Sequence, residues 1–165
     1  MPTYERFEDL PVWKEAANLY DKVDAFISDR PPGVSRSYAD QLERAALSVS
    51  NNIAEGFERG TTNELLAYLY IARGSAGEVR SMLCLLERKK DISNLRSEIS
   101  NLKASAESCS RQLRAWADNL QNSDIKGQRH LNDSVKARDK QIKEAGEFQK
   151  MLLDKLPSDH PLRKK

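Results

Sequence analysis

The chain has 165 residues, 32% of them charged and 7% aromatic, with 27 Lys and Arg against 25 Asp and Glu. That length fits one domain with an appendage, and the high charge with seven scattered glycines suits a helical protein with long solvated faces. No run approaches the roughly 18 apolar residues of a membrane span and the opening MPTYERFEDL lacks a secretory signal's apolar region, so no membrane role and a cytosolic location are expected.

Four long segments have helical period, and none alternates like a strand. The first runs from about Asp9, a plausible cap, to Asp29, with Pro11 tolerated in the first turn. Its expected stripe is Leu10, Trp13, Ala17, Tyr20, Val23 and Ile27. DRPPG ends it, because Pro31 and Pro32 cannot continue the hydrogen-bond ladder.

The second helix is expected to open at Ser35 or Ser37 and reach Glu58, with Tyr38, Leu42, Ala45 or Ala46, Val49, Ile53 and Phe57 inward. Gly60 is expected in a left-handed closing position. Thr61 and Glu64 form a capping-box pattern for the third helix. That helix carries Leu65, Leu69, Ala72, Ala76, Val79 and Leu83 down one side and ends near Arg88, Lys89 and Lys90.

The fourth helix has the most regular pattern. Ile92, Leu95, Ile99, Leu102, Ala106, Cys109, Leu113, Trp116 and Leu120 alternate steps of three and four. Four such helices with short connections imply an antiparallel up-down-up-down four-helix bundle, all-α, over residues 1–120. Residues 121–165 form an extension: a linker QNSDIKGQRHLND, an interrupted fifth helix over Ser134–Leu156, and an end PSDHPLRKK expected to be disordered.

Charge divides the same way. Residues 1–120 hold 16 Lys and Arg against 18 Asp and Glu, and residues 121–165 hold 11 against 7. A basic extension on a near-neutral body hints at an anionic partner. Cys84 and Cys109, on a hairpin turning near Asp91, would lie about 18 Å apart along the axis, so both are expected as buried free thiols.

The stretch RAALSVSNNIAEGFERG, Arg44 to Gly60, is unusually rich in small and uncharged polar residues for a helix. A second run follows at Ala72, Gly74, Ser75, Ala76 and Gly77. Folding the chain back around Gly60 sets position 48 opposite 72 and position 45 opposite 75. Close helix packing then explains the small residues better than a catalytic pocket does. Asn52, Glu55, Arg59, Arg73 and Glu78 are expected to form a hydrogen-bonded network that fixes helix register or meets a partner chain.

The segment SVSNNIAEGFERGTTNELLAYLYIARGSAGEVRSML resembles the signature of the four-helix-bundle family encoded in 23S rRNA intervening sequences. Asn52, Glu55, Gly56 and Arg59 fall in its N-I-A-E-G and turn elements, and Gly74, Ser75 and Glu78 in its G-S-x-x-E element. FEDLPVWKEAANLYDKV and QLERAALS look like the family's earlier helices, so the likeness spans about residues 7–120. The resemblance implies a ring-like homopentamer and kinship with the accessory variability proteins of diversity-generating retroelements, basic pentamers that bind nucleic acid and work with a reverse transcriptase. The chain departs from the pattern in its C-terminal extension and in a body that is not basic.

Enzyme chemistry finds no support. The two histidines, His130 and His160, lie in the extension, so a bundle di-iron site lacks its Glu-x-x-His pairs and zinc lacks a ligand set. No phosphate loop, Ser-His-Asp set or nucleotide fingerprint occurs, and no metal or cofactor is expected. Glu55 and Glu78 are paired-carboxylate candidates, yet Arg59 and Arg73 beside them favour salt bridges.

Basic residues remain as the functional signal. Arg73, Arg80 and Arg88 step along one face of the third helix, and Lys89 and Lys90 extend it. Repeated in a ring, that face would bind phosphate backbones with strong salt dependence. Lys136, Arg138, Lys140 and Lys143 offer the extension the same role, without aromatics for base stacking. Two functions compete: a non-catalytic oligomer that binds RNA, DNA or a hybrid beside a reverse transcriptase, and a protein-interaction scaffold whose repeated tails gain from avidity.

Overall fold

Proline fixes where the first helix begins. In the computed structural model, which describes residues 4–122 and 133–155, α1 spans Pro11–Ser28 with Pro11 at the first helical position. Its missing N–H is no loss there. Asp9 is not the cap: it lies in a short 3-10 turn, Phe7–Asp9, and the buried Leu10 stands in the cap position without a side-chain bond. The face that enters the core is Val12, Ala16, Leu19, Val23 and Phe26. Trp13, Tyr20 and Ile27, expected inward, sit half-buried on its shoulder, where long side chains cover the seam edge and still reach water.

Gly33, at φ 85°, takes the left-handed conformation that the turn after Pro31 and Pro32 needs. Ser35 then caps α2, Arg36–Glu58, its hydroxyl accepting from the Tyr38 N–H at 3.3 Å. Leu42, Ala45, Ala46, Val49, Ile53 and Phe57 are all buried. Gly60 is not left-handed: Arg59 ends α2 in extended backbone, which leads straight into the extended cap Thr61.

Helix α3 spans Thr62–Glu87. The Thr61 hydroxyl accepts from the Glu64 N–H and donates to its carboxylate at 2.8 Å. Every expected inward residue from Leu65 to Leu83 is buried, joined by Thr62 and Leu86. After Arg88 the chain runs through a 3-10 stretch, Lys90–Leu95, in which Ile92 is non-helical yet buried. So α4, Arg96–Gln121, starts later than the heptad pattern implied. Ile99, Leu102, Ala106, Cys109 and Leu113 keep the seam, and Ala117 takes the buried place between the half-buried Trp116 and Leu120.

Successive helices run antiparallel, and α4 closes the ring of contacts on α1, where the Lys22 ammonium donates to Ser105 Oγ at 2.8 Å. Leu19, Leu42, Leu69 and Leu113, one from each helix, are buried in the core, each burial stabilising by roughly 1.5–3 kcal/mol. Cys109 is buried, and desolvation pushes its thiol up to about 12. Cys84, one position past the buried Leu83, faces outward instead of inward. The chain divides into two units: the first holds α1–α4, the second α5, Asp133–Lys155. The central linker residues, the end PSDHPLRKK and both histidines lie outside the described residues.

Candidate nucleic-acid interface and the α2–α3 seam

Helices α2 and α3 meet one turn out of the expected register. Ser48 Oγ lies 3.0 Å from Ser75 Oγ, so position 48 faces 75 and not 72. The extended link through Arg59 and Thr61 lengthens the reversal and moves its centre beyond Gly60. Asn52 completes this cluster, donating to the Ser48 carbonyl at 2.7 Å and to its hydroxyl at 2.9 Å.

The close approach falls at Gly56. A Cβ there would stand 2.6 Å from Tyr68 Cβ, a distance no real side chain tolerates. Tyr68 therefore packs against bare backbone, and its hydroxyl reaches Glu55 at 2.7 Å. Arg59 closes the group, 2.6 Å from Glu55, 2.9 Å from the Tyr68 hydroxyl and 5.1 Å above its ring. The hydrogen bond from Tyr68, then that from Arg59, holds the Glu55 carboxyl below its usual range, and Glu55 in turn raises Tyr68.

The expected single network is thus three separate groups. Glu78 accepts from Gln41 Nε2 at 2.7 Å, not from Arg73, and Arg44 donates to Gln41. Gly74 and Gly77, expected in the seam, point outward, with nothing within 4 Å of where a Cβ would sit. They share the outer face of α3 with Tyr70, Ile71 (51% exposed) and Leu85 (53% exposed).

The basic stripe is only partly available. Arg73 is half-buried and Arg80 lies 3.8 Å from Glu107 of α4. Glu87, inside the stripe, pairs with Lys103 at 2.7 Å, a hydrogen bond that raises the lysine. Lys89 donates to the Gly33 carbonyl at 2.8 Å and stands 5.7 Å above the Tyr38 ring, tying α3's end to the α1–α2 turn. Arg88 and Lys90 are exposed. In α5, Lys143 is exposed; Lys136, Arg138 and Lys140 precede it in the same helix.

An apolar cleft of about 330 Å³ opens beside Leu10, Pro11, Gln112 and Trp116, and its lining offers no carboxylate, thiol or imidazole. Among the described residues no cluster of His, Cys, Asp and Glu would hold a metal, and no helix is long and apolar enough to cross a membrane.

The geometry defines a helical-bundle protein in which the signature residues Glu55, Gly56, Arg59 and Ser75 lie at the contacts between two helices. The chain belongs to the 23S rRNA-intervening sequence protein family, whose model matches residues 8–115. It is similar in fold to a protein of unknown function from the S23 ribosomal protein family of Bacteroides thetaiotaomicron, solved at 1.70 Å. That likeness has 19% identity and a TM-score of 0.51, and covers 64% of this chain and 97% of the other. No curated protein matches.

Proposed function

We propose that the chain is a non-catalytic homopentamer that binds the phosphate backbone of RNA, DNA or a hybrid as an accessory to a reverse transcriptase. The observation that carries the reading is the outer face of α3. Tyr70, Ile71 and Leu85 leave apolar surface in water there, and Gly74 and Gly77 give up helix propensity, about 1 kcal/mol each, with no packing partner among the described residues. A neighbouring protomer would use both. Arg88 and Lys90 remain open at the end of α3, and five-fold repetition turns a small patch into a field that attracts polyanions. The likeness of the signature segment to the accessory variability proteins supports the link to reverse transcription.

A scaffold that binds no nucleic acid is the second reading, favoured by the engagement of Arg80 with Glu107 and of Lys89 with Gly33. Titration of short RNA, DNA and hybrid at several salt concentrations separates the two. Binding that falls steeply with salt is expected, and in an Arg88→Glu/Lys90→Glu variant the logarithmic salt slope should shrink by about 1 per lost contact. Loss only on reversing Lys136, Lys140 and Lys143 would move the site to α5. No binding at low salt leaves the scaffold.

A further inference from the structure

Helix α5 lies beyond residues 8–115, the part of the chain that the family shares, and its apolar face has no described cover. Ile142 and Phe148 are 60% and 58% exposed, and Met151 and Leu152 are exposed beside them. Ile142, Ala145, Phe148 and Leu152 fall on one stripe by helical spacing. A lone helix of this length is marginal in water, because most helical stability in proteins comes from packing an apolar face. The opposite side interleaves Lys143 and Lys150 with Glu144, Glu147 and Asp154. Such a surface suits neither an anionic membrane nor a phosphate backbone, each of which favours unbroken positive charge.

Charge along the helix selects its occupant. Residues 133–143 hold four Lys and Arg against two Asp, and residues 144–155 hold two Lys against three Asp and Glu. The first half is basic and the second acidic. Two copies side by side in the same direction set like against like; reversed, each basic half meets an acidic one. We propose that α5 pairs antiparallel with α5 of a second copy of this chain, through the face of Ile142, Ala145, Phe148 and Leu152. Aligned about Ala145, one residue from the helix midpoint, Ile142 lies beside Phe148 of the other copy and Ala145 beside its own symmetry mate. Gly146, with open space around its Cα, leaves room for the incoming ring.

The pairing does not depend on the proposed pentamer. It is two-fold, and five is odd, so a ring of five leaves at least one tail that can pair only with a tail of a second assembly. Sedimentation equilibrium of the full chain and of the Ile142→Glu/Phe148→Glu variant tests it. The wild-type mass should be twice that of the variant, while the melting of the bundle stays unchanged. Whatever mass the variant keeps reports the bundle's own assembly, so a monomeric variant would sink the pentamer and spare the pairing. Equal masses at all concentrations, with or without binding to anionic vesicles, overturn the pairing. Orientation is read by oxidising Ala145→Cys in a Cys84→Ser background. A covalent pair at position 145 is expected; a pair that forms at least as well from Lys136→Cys, which antiparallel packing holds far from its mate, overturns the geometry.

Discussion

Tyr68 sits where a side chain on residue 56 would have to go, and that makes Gly56 the tightest point between α2 and α3. The obstacle is another residue's Cβ, close to rigid backbone, so neither helix can yield by turning a side chain. Gly56→Ala should therefore destabilise the bundle by about 1–3 kcal/mol although alanine is the better helix former. Chemical denaturation checks it: a midpoint unchanged or raised would show that the helices separate freely at this height. Gly74 and Gly77 have the same composition and the opposite setting, open to water with no contact to lose.

At the scale of the element, the turn between α2 and α3 is held by charge-assisted hydrogen bonds on its surface. Glu55 titrates below its ordinary range because Tyr68 and then Arg59 bond to the ionised form. Its contribution to stability is thus complete above the unfolded carboxylate range, and is lost as pH falls through the lowered native value. Glu55→Gln should flatten that acid limb and leave the profile near neutrality with the same shape, as thermal melts across pH 2–7 would show. An unaltered acid limb would mean that the group holds nothing. The helices themselves were largely legible, because α3 and the middle of α4 keep their apolar residues at regular steps. In α1 the apolar pattern points one position away from the buried face, since Trp13 and Tyr20 outweigh Val12 and Ala16 in apolar size while straddling the seam edge. The turn at Gly60 misled the register by one helical turn, because extended residues and not a left-handed glycine make the reversal. Across the α3–α4 seam, nothing in the spacing of Arg73, Arg80 and Arg88 announces that Glu107 reaches Arg80. Pairing between distant segments is a property of the assembled bundle.

For the molecule as a whole, the outer face of α3 sets protomer and assembly against each other. Gly74→Ala adds helix propensity, about 1 kcal/mol, to an open position of the isolated protomer. If a neighbour packs on that face, the same methyl group stands in its way. The variant should melt higher as a dissociated protomer at low concentration and show a lower mass at high concentration, read by differential scanning and light scattering on the same samples. A higher melting point with an unchanged mass would remove α3 from the assembly surface.

The closure of α4 on α1 also has a cost in time. The bond from Lys22 to Ser105 spans 83 residues, whereas α2–α3 and α3–α4 are neighbours along the chain. At a synthesis rate of about 5–20 residues per second, a segment of that length takes roughly 4–17 s to emerge. Until it does, the buried side of α1, with Leu19, Val23 and Phe26, lacks its α4 cover and rests mainly on α2. The nascent chain therefore passes through an interval in which a sticky three-helix intermediate stands on the ribosome, and chaperones have their best access to α1 during that wait.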